Sequence, residues 1–204
     1  KPYGRDLNFS EYHRNVEVAT SSFLAKEIRN TKDQLHITSS EIFETCWGIL
    51  LQQFSNTDDA VFGKVVSGRN ATISGVEEIV GLFINTIPTR VDCNKNPILK
   101  ELLQDIHQKS LISSDYDYIP LFVTQSCSKQ GSELIQSIYT FENYYSQTDE
   151  TESEIKLEVK ESREETNYDL SILIYEDSVF HVRLMYNPQR YSESFVKDIV
   201  RRYI

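Results

Sequence analysis

Two stretches of this 204-residue sequence, AVFGKVVSGR at residues 60–69 and IVGLFINTIPTRV at residues 79–91, decide the fold. Residues 60–66 form a nearly continuous apolar run, which is typical of a strand covered on both faces. The run from Leu82 to Val91 predicts a second strand. The polar residues 67–70 predict a loop at a strand end, where α/β proteins place many of their functional groups.

Three helices are predicted from capping signals and from the spacing of apolar residues. Residues 20–22 (Thr-Ser-Ser) offer N-caps for the first helix. Thr38 and Glu41 have the spacing of a capping box for the second. The pair Asn96–Pro97 predicts an N-cap followed by proline at the first helical position of the third. Large apolar residues recur at helical spacing in the second helix and predict that it lies in the core: Phe43, Trp47, Leu50 and Phe54.

The last third of the chain is rich in predicted strands. Residues 134–141 and 155–160 each indicate a strand, and residues 168–175 and 179–186 indicate a hairpin. Ser192 precedes a final helix. Because helices and strands are interleaved, we expect an α/β fold, with a mixed β-sheet layered with helices in one folding unit.

The composition excludes several classes of protein. A net charge of −10 argues against a general binder of nucleic acid, and no apolar run is long enough to span a membrane. Three widely spaced cysteines indicate reduced thiols rather than a disulfide scaffold. We therefore expect a cytoplasmic protein without a nucleic-acid or membrane partner. Residues 141–170 hold ten acids and three bases. Within them, residues 147–154 are polar and poor in apolar side chains, which predicts a solvated loop. Because no histidine accompanies these acids, we do not assign a metal site to them.

No self-sufficient catalytic constellation is present in the sequence. The histidines are scattered singly, at positions 13, 36, 107 and 181, and none has the spacing of a paired metal ligand. A GxSxG nucleophile elbow, a Walker loop and a GxGxxG loop are all absent. The sequence therefore predicts no catalytic residue, no metal site and no directly bound cofactor.

Two polar residues beside the predicted strands call for an explanation. Asn85 is expected on the same strand face as Phe83 and Ile87, where a buried amide without partners costs about 1–3 kcal/mol. It either satisfies a neighbouring loop or lines a ligand site. Arg69 follows Ser67 and Gly68 directly after a buried strand, where it either pairs with a carboxylate or points to solvent.

The two stretches strongly resemble the condensation domains of nonribosomal peptide synthetases. Residues 79–90 are similar to the family signature IGxFVNT followed by an arginine. Other segments are similar to further family motifs: residues 50–59 to LLxxYSGQDD, residues 116–122 (YDYIPLF) to HQDVPFE, and residues 168–171 and 185–187 to FDLSL and LxYN. The similarity runs from Asn8 to Tyr203.

The sequence also departs from the family pattern. The hallmark HHxxxDG is absent, and it belongs to an N-terminal half that this chain lacks. The motif RDxSRNPL is degenerate, because its first arginine falls near Cys127 and its asparagine at Ser132. Tyr116 stands where the family usually has histidine, and Leu121 where it usually has phenylalanine. Contacts to the acceptor substrate that the family assigns to these motifs do not carry over.

The resemblance implies a chloramphenicol-acetyltransferase-like (CoA-dependent acyltransferase) fold with two lobes in a V, of which residues 1–204 are the C-terminal lobe. In an intact domain, a donor acyl or peptidyl thioester and an acceptor aminoacyl thioester, each on the phosphopantetheine arm of a carrier domain, form a peptide bond. The implied partners are the N-terminal lobe, the carrier domains and an adjacent adenylation domain. We expect the lobe alone to be inactive.

The resemblance further implies an inter-lobe or substrate-channel role for Arg69, Gly81, Asn85 and Thr86. We expect Arg69 to pair with the aspartate of the missing HHxxxDG. Two other functions stay open, a small stand-alone acyltransferase and a non-catalytic module that docks carrier domains. For the module, one basic cluster is the candidate docking face: Arg183, Arg190, Lys197, Arg201 and Arg202.

Overall fold

The structure is a computed structural model, and it describes residues 13–69, 75–142 and 166–204. Its strands are β1 (Arg14–Ala19), β2 (Asp59–Val66), β3 (Asn85–Asp92), β4 (Ser137–Glu142), β5 (Leu170–Glu176) and β6 (Phe180–Tyr186). Its helices are α1 (Ser22–Leu35), α2 (Ser39–Ser55), α3 (Leu99–Ser114), α4 (Leu121–Ser126) and α5 (Glu193–Tyr203). Short 3₁₀ turns cover Val76–Glu78 and Gly131–Leu134.

The described strands form a mixed six-stranded sheet in the order β1-β6-β5-β4-β2-β3. Strand β4 runs parallel to both β2 and β5, and the other neighbouring strands are antiparallel. This arrangement confirms the predicted fold class, and the antiparallel β5–β6 pair confirms the predicted hairpin. In the described sheet β3 is an edge strand, and its Pro88 lies opposite Gly63 of β2.

Helices α1, α2, α3 and α5 share one hydrophobic core with one face of the sheet. Trp47 of α2 and Val196 of α5 are fully buried against strand residues such as Tyr139. The contact between α2 and β3 is close, because a Cβ on Gly48 would lie 2.3 Å from a side-chain carbon of Val91. Alternate strand residues, such as Ile138 and Leu173, point to the opposite side, which we call the second face.

The capping signals in the sequence predicted several helix starts correctly. Helix α1 begins after Ser21, and α5 begins after Ser192. The capping box at α2 forms in both directions, because Thr38 Oγ1 accepts from the Glu41 N–H at 3.1 Å and Glu41 accepts from the Thr38 N–H at 2.7 Å. Phe43, Trp47 and Leu50 are buried as predicted, whereas Phe54 at the last turn is partly exposed.

Three predicted boundaries were wrong, and each error has a local cause. Strand β3 begins at Asn85 rather than at Leu82, because its partner β2 ends at Val66, so Phe83 does not share a strand face with Asn85. Helix α3 begins at Leu99, because Asn96 adopts a left-handed conformation (φ 48°) that an N-cap does not use. The residues from 131 to 134 form a 3₁₀ turn, so β4 begins only at Ser137.

The predicted strand at 155–160 lies outside the described residues, as does most of the acidic segment at 141–170. The three cysteines are free thiols. Within the described ranges, no helix combines the length and the apolar character that crossing a membrane requires.

A buried ion pair joins α2 to β2. The Glu44 side chain is 2% exposed, and Lys64 Nζ lies 2.6 Å from its Oε2. Burial raises the pKa of the Glu44 carboxyl, and the attraction of Lys64 opposes this rise only in part. For the Glu44 carboxylate, desolvation therefore outweighs the attraction of Lys64, as is common for ion pairs inside proteins.

This balance predicts opposite outcomes for single and double substitutions. Glu44→Gln should lower the free energy of unfolding by about 3 kcal/mol, because it leaves the Lys64 ammonium buried without its counter-charge. The double variant Glu44→Leu/Lys64→Met should recover to within about 1 kcal/mol of the wild type. Urea denaturation followed by circular dichroism measures both values.

The exposed Lys109–Asp105 pair on α3 supplies the control. Asp105→Asn should change the free energy of unfolding by less than about 1 kcal/mol, since solvent screens a surface pair. A Glu44→Gln variant no less stable than Asp105→Asn would contradict the proposed energy balance.

Candidate functional site

The two strand-end features singled out by the sequence lie side by side in the structure. Val66, the last residue of β2, pairs with Asn85, the first residue of β3. Gly68 and Arg69 therefore leave the sheet at the point where the chain returns to it. We call residues 67–69 and 75–86 together the connector end of the β2–β3 pair.

Arg69 is bound to its own connector. Its Nη1 donates to the backbone carbonyl of Val76 at 2.5 Å and to that of Ile79 at 3.1 Å. The guanidinium carbon lies 4.5 Å from the centroid of the Phe83 ring, within the range of a cation–π contact. Among the described residues no hydrogen-bond partner lies at Nε or Nη2 of Arg69. From the sequence we expected Arg69 either to pair with a carboxylate or to point to solvent. Contacts with backbone carbonyls and an aromatic ring were not among these alternatives.

Gly68 allows the strand end to approach this connector. Its φ of 66° is in the left-handed region, which favours glycine. A Cβ at this position would lie 1.9 Å from the carbonyl oxygen of Phe83. Both the conformation and the space therefore require glycine before Arg69.

Asn85 ties β3 to the segment that follows α3. Its Nδ2 donates to the carbonyl oxygens of Asp117 and Ile119, at 2.7 Å each. Both amide hydrogens are used in this way, so the structure realises the loop-satisfying alternative. The tethered segment is part of the YDYIPLF stretch, whose Tyr116 and Tyr118 are exposed on either side of the buried Asp117.

Gly81 and Thr86 have different surroundings. Gly81 is exposed, and a Cβ there would lie 3.4 Å from the edge of the Phe83 ring. Thr86 points to the second face, where its methyl lies 2.7 Å from the position of a Cβ on Gly63. The structure thus brings Arg69, Gly81 and Asn85 together at the connector end and places Thr86 on the opposite side of the strand from Asn85.

The connector end also exposes a strip of apolar side chains, of which Leu82 and Ile84 were predicted to lie in a strand. Val80, Leu82 and Ile84 are 100%, 88% and 62% exposed. Phe83, between two of them, is half-buried beneath Arg69. Exposed apolar strips are common at surfaces through which proteins bind their partners.

The predicted docking cluster does not form one patch. Arg183 points to the second face, where it donates to Glu17 at 2.6 Å. Helix α5 packs on the other face of the sheet, the one that carries the hydrophobic core. Arg201 and Arg202 both bind Asp198, and these contacts hold the pKa of that carboxyl below its usual range. The remaining members also have acidic partners, Asp169 for Arg190 and Glu193 for Lys197.

The histidines with titratable partners lie away from the connector end. His107 Nδ1 is 3.1 Å from both carboxylate oxygens of the buried Glu41, which places it at the boundary between α2 and α3. His181 stacks on Tyr175 and lies 3.1 Å from Asp177. Across the three described ranges, no group of at least three His, Cys, Asp or Glu side chains could hold a metal ion.

Comparisons with known proteins point to one family. The family model described as "Condensation domain" matches residues 5–204. Tyrocidine synthase 3 from Brevibacillus parabrevis is 42% identical over 172 residues, which cover 82% of this chain and 3% of that protein. Gramicidin S synthase 2 from Brevibacillus brevis is 35% identical over 187 residues, 89% of this chain and 4% of that protein. The chain thus spans only a few per cent of these relatives.

Solved structures share the fold. A four-domain nonribosomal peptide synthetase bound to AMP and glycine matches with a TM-score of 0.79 and 18% identity, over 94% of this chain and 16% of that one. The condensation domain from Monacolin K polyketide synthase matches with a TM-score of 0.76 and 16% identity, over 100% of this chain and 48% of that one.

The close approach at Gly68 gives a stability prediction. Gly68→Ala should lower the free energy of unfolding by at least about 2 kcal/mol, because left-handed strain adds to the collision with the Phe83 carbonyl. Gly75→Ala is the matched control, since Gly75 has φ 75° but open space around its Cβ position. It should cost only the strain, about 1 kcal/mol. Equal losses in urea denaturation would contradict the packing argument.

Proposed function

The chain belongs to the condensation-domain family, and from this membership we propose that residues 1–204 form the C-terminal lobe of a domain that makes peptide bonds. Its mixed sheet with helices is the chloramphenicol-acetyltransferase-like fold that condensation domains have. The match of the whole chain to 48% of a condensation-domain chain supports the assignment to one lobe. The sequence printed here contains no HHxxxDG, which the family carries in the other lobe.

The proposed reaction joins two carrier-bound substrates. The amine of the acceptor aminoacyl thioester attacks the donor thioester carbonyl, so a C–N bond forms, the C–S bond breaks, and the donor's phosphopantetheine thiol leaves with a proton. The second histidine of HHxxxDG, on the N-terminal lobe, positions or deprotonates the amine. This lobe contributes a wall of the active site and no catalytic residue.

One observation carries the assignment of the connector end as the inter-lobe surface. The exposed strip of Val80, Leu82 and Ile84 lies beside Arg69, whose Nε and Nη2 have no hydrogen-bond partner among the described residues. An apolar strip next to an incompletely bonded guanidinium fits a surface that a second lobe covers. We assign Arg69 as the partner of the HHxxxDG aspartate, and Gly81, Asn85 and Thr86 to the lobe's channel or inter-lobe wall.

The proposed partners follow from the same assignment. Carrier domains deliver both substrates on phosphopantetheine, so this lobe needs no cofactor of its own, and an adenylation domain adjoins it in the parent synthetase. Because the predicted basic cluster is divided between two faces, we keep only Arg201 and Arg202 with Arg190 as a candidate carrier-docking surface. Their acidic partners weaken the case for a dedicated docking module.

The function has a direct test. Purified residues 1–204 alone should form no dipeptide from two loaded carrier domains, whereas the same lobe joined to an HHxxxDG-bearing N-terminal lobe should form it. Mass spectrometry of the carrier-bound product measures both. Replacing the second histidine of HHxxxDG by alanine controls for uncatalysed transfer. Dipeptide formation by the isolated chain, or none by the joined lobes, would refute the proposal.

A substitution of Asn85 tests the proposed wall of the substrate channel. In the joined domain, Asn85→Ala should raise the KM for the acceptor-loaded carrier about tenfold, equivalent to 1.4 kcal/mol, because the segment at Asp117 and Ile119 loses its tether. Asn30→Ala on α1, which removes an exposed amide bound only to Glu27, is the control and should change nothing. An unchanged KM for the acceptor-loaded carrier in Asn85→Ala would contradict the assignment of Asn85 to the channel wall.

A further inference from the structure

We propose that Phe83 is a positioning residue, whose ring holds the Arg69 guanidinium in the orientation that meets the other lobe. The inference rests on the proposed function for its effect on activity, but the contact itself is independent of that function. It assigns Phe83 a task beyond packing, namely to present the edge of Arg69 (Nε and Nη2) that has no hydrogen-bond partner in the described part of the chain.

The Arg69 guanidinium is held from two directions. Nη1 is fixed by the carbonyls of Val76 and Ile79, and the Phe83 ring lies beneath the group at 4.5 Å. These two bonds anchor Nη1. The ring adds a cation–π contact that resists tilting of the rest of the group, so that Nε and Nη2 keep one direction.

Phe83 points in a different direction from its two neighbours in the chain. Leu82 and Ile84 on either side of it are exposed, whereas Phe83 turns back toward the strand end. The turn is possible because Gly68 lets the Phe83 carbonyl approach where any Cβ would collide. Gly81 leaves the ring edge uncovered, since a side chain there would begin 3.4 Å from the ring.

The π face of Phe83 distinguishes it chemically from an aliphatic residue. An aliphatic side chain of similar volume would fill the same space and would offer no π face to a cation. If Phe83 only packs, leucine should replace it well. If it orients Arg69, only another aromatic ring should do so.

The first experiment observes the contact without any activity. In NMR spectra of the 204-residue chain, the ring current of Phe83 should shift the Arg69 side-chain protons upfield. The shift should persist in Phe83→Tyr and disappear in Phe83→Leu. Arg69 protons at ordinary positions in the wild-type chain would overturn the inference, whether or not any variant folds.

The second experiment measures the consequence in the joined condensation domain. Phe83→Leu should lower kcat about tenfold, the size expected for a partly desolvated cation–π contact, and Phe83→Tyr should stay within about twofold of the wild type. The double variant Phe83→Leu/Arg69→Ala should have a kcat no lower than that of Arg69→Ala alone, because both changes remove the same interaction. Phe23→Leu, at an exposed phenylalanine on α1, is the control and should have full activity.

The outcomes separate this inference from the proposed function. A joined wild-type domain that makes no dipeptide refutes the function, while the NMR shift still tests the contact. A joined domain that is active, but equally active with Phe83→Leu, overturns the positioning role alone. Losses from Phe83→Leu and Arg69→Ala that multiply in the double variant overturn it as well.

Discussion

The ladder between β2 and β3 is the constraint on which the rest of this end of the molecule depends. Its eight residue pairs run from Asp59–Asp92 to Val66–Asn85, and paired residues of antiparallel strands point to the same side. This register directs Lys64 toward Glu44 in the interior and sets Asn85 beside the turn at Gly68. A slip of one strand against the other by one residue would turn each side chain of the slipped strand to the opposite face of the sheet. It would disrupt the Lys64–Glu44 pair if β2 slipped, and the placement of Asn85 if β3 slipped.

The same strand and its extension carry two cations in contrasting environments. Lys64 lies in the core and meets a carboxylate whose pKa is raised by burial. Arg69, a few residues further on, meets carbonyl oxygens and an aromatic ring at the surface. The compact ammonium of Lys64 suits a single buried counter-charge. The planar guanidinium of Arg69 suits a site in which one edge donates hydrogen bonds, one face contacts a ring, and another edge has no partner among the described residues. Neither residue type would serve in the other's position.

Sequence reasoning predicted the elements well and their tertiary contacts poorly, for physical reasons. Capping boxes and alternation are local, so the starts of α2 and α5 and the β5–β6 hairpin followed from them. Residues 82–84 are as apolar as a strand, but an exposed surface uses the same residues, and no local signal separates the two. The cluster around Arg183 was assembled from proximity in sequence, whereas the pleat and the helix packing sent its members to different faces. Arg69 and Phe83 are 14 positions apart, and only the Gly68 turn brings them together.

Pro88 has a consequence for how this chain behaves among other proteins. It lies within the edge strand β3, where the missing N–H leaves the outer hydrogen-bonding row one donor short. Arg90 of the same strand adds a charge, held by Asp59 across the ladder. Proline and charge on an edge discourage a foreign strand from adding to the sheet. The strand that leads into the exposed apolar strip is thereby protected against pairing with foreign strands, although the strip itself stays exposed.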